Sequence, residues 1–151
     1  METPQIIRNL ATLRLEEAEI LIQHNRPDGA FYLAGYSVEL TLKAKIAERL
    51  GVSSLFADQP LAVELFADSK RLRDFVKTHN LELLLVVSGL RPAYIQAKAT
   101  SRTFAKFDRL LWSWSEQLRY RLPGQVNSQD IQDFINFLGS QSGLLQWIEN
   151  S

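Results

Sequence analysis

Hydrophobic residues recur along this chain at helical spacing, and the polar residues between them gather into stripes. From about Gln5 to His24, Arg8, Thr12, Glu16, Glu19 and Gln23 form one narrow polar stripe at about 100° per residue. Most other positions are apolar, including Ile6, Ile7, Leu10, Leu13, Leu15, Ile20 and Ile22. So wide an apolar arc needs more than one packing partner. Arg14 and Glu17 fall inside it, one turn apart, where they can pair. A second helix is expected after Arg26-Pro27-Asp28-Gly29, with Pro27 and Asp28 in its first turn and Gly51 just past its end. Ser37, Thr41, Lys45 and Glu48 share its polar side, while Glu39 and Lys43 lie within its apolar arc.

Residues 52 to 79 are less regular. Pro60 is expected to open a short helix through Phe66, and Lys70 to Lys77 to form another. A brief third helix spans Leu81 to about Val87, ending near Gly89. A long fourth helix is expected from Pro92 to about Arg121, with Phe104, Phe107, Leu111, Trp114 and Leu118 as one buried seam. Leu122-Pro123-Gly124 stops it. A fifth begins near Ser128, read as its N-cap, and keeps helical phase through Ile131, Phe134, Leu138, Leu145 and Ile148 to the C-terminus. Alternation of the strand type is nowhere sustained. The pattern predicts one all-α domain over residues 1–151, an up-and-down antiparallel bundle of four main helices plus short ones.

Composition narrows the chemistry. There is no cysteine, so disulfides, thiolate catalysis and Cys-ligated metals are excluded. Only His24 and His79 are present, which speaks against a multi-histidine metal site in one chain. No apolar run is long enough to span a bilayer, and the first residues lack the basic start and apolar stretch of a signal peptide. The expectation is a soluble, cytoplasmic protein with no membrane association. Lys plus Arg equals Asp plus Glu at 17 each, yet the charge is uneven. Residues 91–121 hold Arg91, Lys98, Arg102, Lys106, Arg109, Arg119 and Arg121 against Asp108 and Glu116. A chain polarised in this way can pair with itself or offer a basic face to an anion. There is no Gly-rich phosphate loop, no H-E-x-x-H, no G-x-S-x-G and no paired-aspartate pattern. A self-sufficient ATPase, protease or nucleotidyltransferase is therefore not expected, and no cofactor or metal is called for.

The second helix reads Ala30-Phe31-Tyr32-Leu33-Ala34-Gly35-Tyr36-Ser37-Val38-Glu39-Leu40-Thr41-Leu42-Lys43-Ala44. Downstream come Thr78-His79-Asn80-Leu81, with further leucines at 83 to 85, and then Leu118-Arg119-Tyr120. In order and spacing these resemble the HEPN domain family (higher eukaryotes and prokaryotes nucleotide-binding). That family carries an A-x-E-x-x-L-K-A helix, a T-H-x-L step and an R-Y near a helix end. The resemblance covers roughly residues 10 to 148. It implies a helical bundle that is usually dimeric. Some members are metal-independent ribonucleases in toxin–antitoxin, abortive-infection and CRISPR systems. Others partner a minimal nucleotidyltransferase, and some have been linked to nucleotide binding.

Several residues are candidates for a site. The family's nuclease signature, an Arg followed after four to six positions by a His, has one formal match in Arg73 and His79. His79 would move the 2′-hydroxyl proton and Arg73 would bind the phosphate. Nuclease members carry the pair nearer the C-terminal helices, whereas here it precedes the third helix. The bland alternative has His79 capping or orienting that helix. Glu39 and Lys43 must pair in their apolar setting, either as a structural ion pair closed by Arg119 or Tyr120, or as part of a polar ligand pocket between helices. Lys98, Arg102, Lys106 and Arg109, continued by Tyr120, project in one sector of the fourth helix. Such a ridge can track a phosphate backbone, or can be a plain solvated face. Trp112 lies off the seam, as a partner surface or packed beneath residues 52 to 70. His24 reads as a surface histidine at a helix end. Taken together, the sequence predicts a HEPN-like homodimeric binding module acting with a protein partner, a nucleotide or RNA, with a ribonuclease as the alternative.

Overall fold

The structure is a computed structural model and describes residues 3–52, 55, 56 and 69–151. Among them the elements are all helical, with no β-strand, and they form the expected antiparallel bundle. Helix α1 spans Pro4–Gln23; the Thr3 hydroxyl accepts from the Ile6 amide at 3.3 Å and Pro4 opens the first turn. Arg14 and Glu17 pair as expected, at 2.6 Å. The helix buries one face, Ile7, Ala11, Leu15, Ala18 and Ile22. Ile6, Leu10, Leu13 and Ile20 stay exposed, so the wide arc finds a partner on one side only.

Helix α2, Pro27–Leu50, is the axis of the bundle, packed against α1, the helix at Leu81–Val87, the 3₁₀ helix at Glu116–Tyr120 and both C-terminal helices. Gly51 ends it at φ 67°, a left-handed turn that suits glycine. Its supposed polar side is a correction to the sequence reading: Ser37, Thr41 and Lys45 are buried. Backbone acceptors make this possible. Ser37 Oγ donates to the Ala34 carbonyl at 2.6 Å, Thr41 Oγ1 to the Ser37 carbonyl at 2.8 Å, and Lys45 Nζ to the Glu149 carbonyl at 3.2 Å.

Helix α3 covers Ser69–Val76, close to the predicted Lys70–Lys77; the expected helix from Pro60 to Phe66 lies outside the described residues. Helix α4, Leu81–Val87, is as predicted, and Arg49 of α2 donates to the Ser88 carbonyl at its end, at 2.6 Å.

The long fourth helix is broken. Helix α5 spans Arg91–Thr100, Ser101 is extended (φ −119°, ψ 119°), and α6 spans Arg102–Ser113. Ser101 accepts from the Phe104 amide at 3.4 Å, so its hydroxyl caps the second piece instead of continuing the first. Trp114 then turns extended (ψ 138°), and a short 3₁₀ helix follows at Glu116–Tyr120. The seam holds for Phe104, Phe107, Leu111 and Trp114, all buried, whereas Leu118 is only half-buried. The fifth helix divides too, into α7, Ser128–Gly139, and α8, Leu144–Asn150. Its N-cap is Asn127, not Ser128: the Asn127 side chain accepts from the Asp130 amide at 3.0 Å. A Cβ on Gly143 would lie 1.9 Å from the Phe137 carbonyl oxygen, so the corner between α7 and α8 folds back too tightly for a side chain.

Candidate functional site

The segment leaving α6 is drawn onto the outer face of α2 at one glycine. A Cβ on Gly35 would fall 2.1 Å from Trp114 Cδ1, so the indole lies directly on the α2 backbone. Its Nε1 donates to the Tyr32 carbonyl at 3.0 Å. Tyr32 and Tyr36 flank the ring, with centroids 6.2 and 6.1 Å away. This contact holds the 3₁₀ helix over the middle of α2, and Glu116, Arg119 and Tyr120 come with it.

Beside that aromatic group lies a chain of charges. Glu39 is 1% exposed. It accepts from Lys43 Nζ at 2.7 Å and from His79 Nδ1, which is 3.0 Å from each carboxylate oxygen. His79 Nε2 lies 3.1 Å from Glu116 Oε2. The ring thus stands between two carboxylates, and only an imidazole carrying a hydrogen on each nitrogen can donate to both at once. Lys43 also stands 5.5 Å from the centroid of the Phe56 ring. These four side chains, Glu39, Lys43, His79 and Glu116, thus connect α2, the turn before α4 and the 3₁₀ helix. The group that closes the Glu39–Lys43 pair is His79, not Arg119 or Tyr120. Nor does His79 cap α4: Asn80 does, accepting from the Leu83 amide at 2.9 Å.

His79 and Glu116 open on a cleft of about 320 Å³ whose walls include Thr78, Trp112, Trp114 and Gln117. The Tyr36 ring stands 6.0 Å from the His79 ring. Burial first, and then the Glu39 charge, push the Tyr36 phenol above its ordinary pKa, so it stays a neutral hydroxyl. Arg119 stacks on Tyr120, 4.9 Å from the ring centroid, and Tyr120 is 72% exposed. The Tyr120 and Tyr32 phenols beside the guanidinium raise its pKa further, so it remains a cation under all ordinary conditions.

The other candidates disperse. Arg73 is buried on α3. The basic ridge does not lie along one helix, because the Ser101 corner separates Lys98 from Arg102, Lys106 and Arg109. Lys98 bridges to Asp108 at 3.3 Å and Lys106 to Asp133 at 3.9 Å, while Arg102 and Arg109 are exposed. Tyr120 sits apart from them on the 3₁₀ helix. Trp112 is half-buried, and the reading that packs it beneath residues 52 to 70 lies largely outside the described residues. Its Nε1 donates to Asp108 Oδ1 at 2.9 Å, and its ring meets Tyr94 edge-on with centroids 5.3 Å apart. Tyr94 donates to the same oxygen at 2.8 Å. His24 is exposed, with Nδ1 2.8 Å from the Ile20 carbonyl oxygen. Sequence reasoning missed Glu116, read only as one of two acidic residues among the bases of 91–121, and Tyr36, noted only as part of the second helix. Among the described residues no group of three acidic or histidine side chains is arranged to hold a metal ion, and no helix is long and apolar enough to cross a membrane.

Comparison with known proteins finds no matching family model, curated protein or solved structure.

Proposed function

We propose that this chain is a HEPN-like helical binding module that works as a homodimer. Its ligand is RNA or a nucleotide, and its setting is a toxin–antitoxin or defence system with a minimal nucleotidyltransferase-type protein as partner. The observation that carries the ligand reading is the convergence of Arg119, Tyr120, Tyr36 and His79 around one face of α2. An exposed tyrosine supplies a stacking plane for a base, and the arginine beside it supplies a permanent cation for phosphate. His79, when doubly protonated, adds a second cation at the cleft floor, and the Tyr36 hydroxyl adds a neutral donor. Glu39 and Lys43 serve this face from beneath by fixing the imidazole. Lys98, Arg102, Lys106 and Arg109 are an auxiliary contact for longer RNA.

The test is the melting temperature with adenosine mononucleotides, short single-stranded RNA and inorganic phosphate. A rise with RNA or nucleotide that Arg119→Ala and Tyr120→Ala each abolish supports the reading. A well-folded protein whose melting temperature none of the three ligands moves overturns it.

The ribonuclease reading with Arg73 and His79 draws support from one feature. A buried carboxylate that accepts from Nδ1 fixes the ring and makes Nε2, which faces Glu116 on the cleft, the nitrogen that would take the proton in a histidine base. It predicts EDTA-insensitive RNA cleavage, with 2′,3′-cyclic phosphate ends, lost in Arg73→Ala and in His79→Ala.

A further inference from the structure

The segment that carries Arg119 and Tyr120 is a strap anchored at both ends. At its start the Trp114 indole lies on Gly35 and donates to the Tyr32 carbonyl at 3.0 Å. At its end the Gly124 amide donates to Asp28 Oδ2, also at 3.0 Å. Between these anchors the 3₁₀ helix at Glu116–Tyr120 buries no residue fully. Leu118 is half-buried and Arg119 stands beside the Tyr32 phenol, while Glu116 makes the ionic contact, its Oε2 3.1 Å from His79 Nε2. Hydrogen bookkeeping decides the sign of that contact. A neutral imidazole carries one ring hydrogen and an imidazolium two. Glu39 is buried and holds both carboxylate oxygens 3.0 Å from Nδ1. A single hydrogen therefore belongs on Nδ1, since without it a lone pair would face a buried anion. Nε2 then turns a lone pair toward the Glu116 carboxylate, and the contact repels. With a second hydrogen on Nε2 the same contact is a charge-assisted hydrogen bond.

We propose that His79 is a proton-operated clasp on this strap. The doubly protonated ring holds Glu116–Tyr120 against α2, and loss of the Nε2 proton to solvent frees that stretch while both anchors hold. The surrounding charges count the same way. From α2 come Glu39, Lys43 and the neutral Tyr36 phenol, and from the 3₁₀ helix Glu116; Glu82 of α4 stands on the cleft wall. Lys43 and an imidazolium balance Glu39 and Glu116, whereas a neutral ring leaves one carboxylate uncompensated. The proton has a route, because the His79 and Glu116 side chains are 38% and 32% exposed on the cleft. The closed strap holds one proton more than the open one. Rising pH therefore opens it, by at most about tenfold per pH unit, and imidazole is the side chain that changes charge between about pH 5 and 8. The clasp rests on the contacts just described. Its effect on a ligand rests on the RNA or nucleotide reading above, because Arg119 and Tyr120 ride on the strap.

Histidine-ring NMR reads the proton directly, since the chain has only His24 and His79 and His79→Ala assigns them. Over about pH 5 to 9, the wild type should lose the Nε2 hydrogen of His79 and keep the one on Nδ1. Backbone amide order parameters of residues 116–120 should fall with the same midpoint, from about 0.85 to below about 0.6, while those of α2 hold. His79→Ala should leave the strap mobile at every pH. Glu116→Gln should keep it closed at every pH, because a neutral amide donates to a bare Nε2 and accepts from a protonated one. Affinity for a short single-stranded RNA should fall about tenfold or more across the range in the wild type, the effect of losing one charge-assisted hydrogen bond, and by much less in Glu116→Gln. A strap that stays rigid after His79 gives up the proton, or that is as mobile in Glu116→Gln as in the wild type at high pH, overturns the clasp. So does a His79 that keeps both ring hydrogens throughout. An equal fall in RNA affinity in both proteins overturns the link to the ligand. A strap that moves as described in a protein that binds no RNA at any pH overturns the ligand reading and leaves the clasp standing.

Discussion

Removing the carboxylate of Glu39 should be among the most damaging single changes in the bundle. Glu39 is 1% exposed, and the Lys43 side chain it pairs with is 11% exposed. Glu39→Ala leaves the ammonium in a site with almost no water and removes the acceptor of His79 Nδ1. Breaking a buried pair from one side costs about 3–5 kcal/mol. A domain of this size has roughly 5–15 kcal/mol in total, so the loss consumes a large share of its stability. At about 2–4 °C per kcal/mol, the melting temperature should fall by roughly 6–20 °C. The double variant Glu39→Leu/Lys43→Met removes both charges and keeps most of the volume. It should recover most of the loss, because an apolar pair replaces a buried ion pair at little net cost. Thermal and urea unfolding of the wild type, Glu39→Leu, Lys43→Met and the double variant close the cycle, with Glu39→Ala measured beside them. A loss below about 1 kcal/mol for Glu39→Ala, or a double variant no better than the worse single one, would refute the reasoning.

The same structure fixes other outcomes. Gly35→Ala drives a methyl group into the Trp114 ring and should cost about 1–3 kcal/mol by urea unfolding, with a red shift in Trp fluorescence as the indole leaves α2. Asn127→Ala should cost about 1 kcal/mol through loss of the α7 cap. Burial works against the charge of Asp108, but hydrogen bonds from Tyr94, Trp112 and Lys98 outweigh it and hold its pKa below the ordinary value. A depressed folded-state pKa stabilises the fold above the unfolded value of about 3.9, and that contribution fades as pH falls through the folded value. The stability gap between wild type and Asp108→Asn should therefore be full near neutral pH and shrink below about pH 4, as read by thermal unfolding across pH.

The bundle was legible in the sequence because long helices with apolar periodicity leave few alternatives. Where the reading failed, local side-chain chemistry outvoted periodicity. Phe104 to Trp114 keep helical phase with the residues before Ser101, so nothing in the pattern revealed a corner there; the serine's preference for capping decided it. Ser37, Thr41 and Lys45 looked like a solvated stripe, yet hydroxyls bonded to their own helix and a lysine reaching the α8 carbonyl can be buried. Glu39 and Lys43 stood out because charges in an apolar arc need partners. Their third partner lies 40 residues away in His79, a separation no periodicity encodes. Glu116 was invisible as a site residue for the same reason: only the placement of Trp114 on Gly35 brings the 3₁₀ helix to His79.

The measurement that bears most directly on the function proposed here is fluorescence anisotropy of a labelled single-stranded RNA in EDTA. Wild type, Arg119→Ala, Tyr120→Ala and His79→Ala would be titrated side by side, and the RNA recovered on a denaturing gel. The account predicts binding by the wild type, weakening with added salt, lost in the Arg119 and Tyr120 variants, and RNA recovered intact. A folded wild type that binds no RNA, or binding indifferent to Arg119 and Tyr120, would contradict it. RNA cut by the wild type and spared by His79→Ala would replace the binding module with the nuclease.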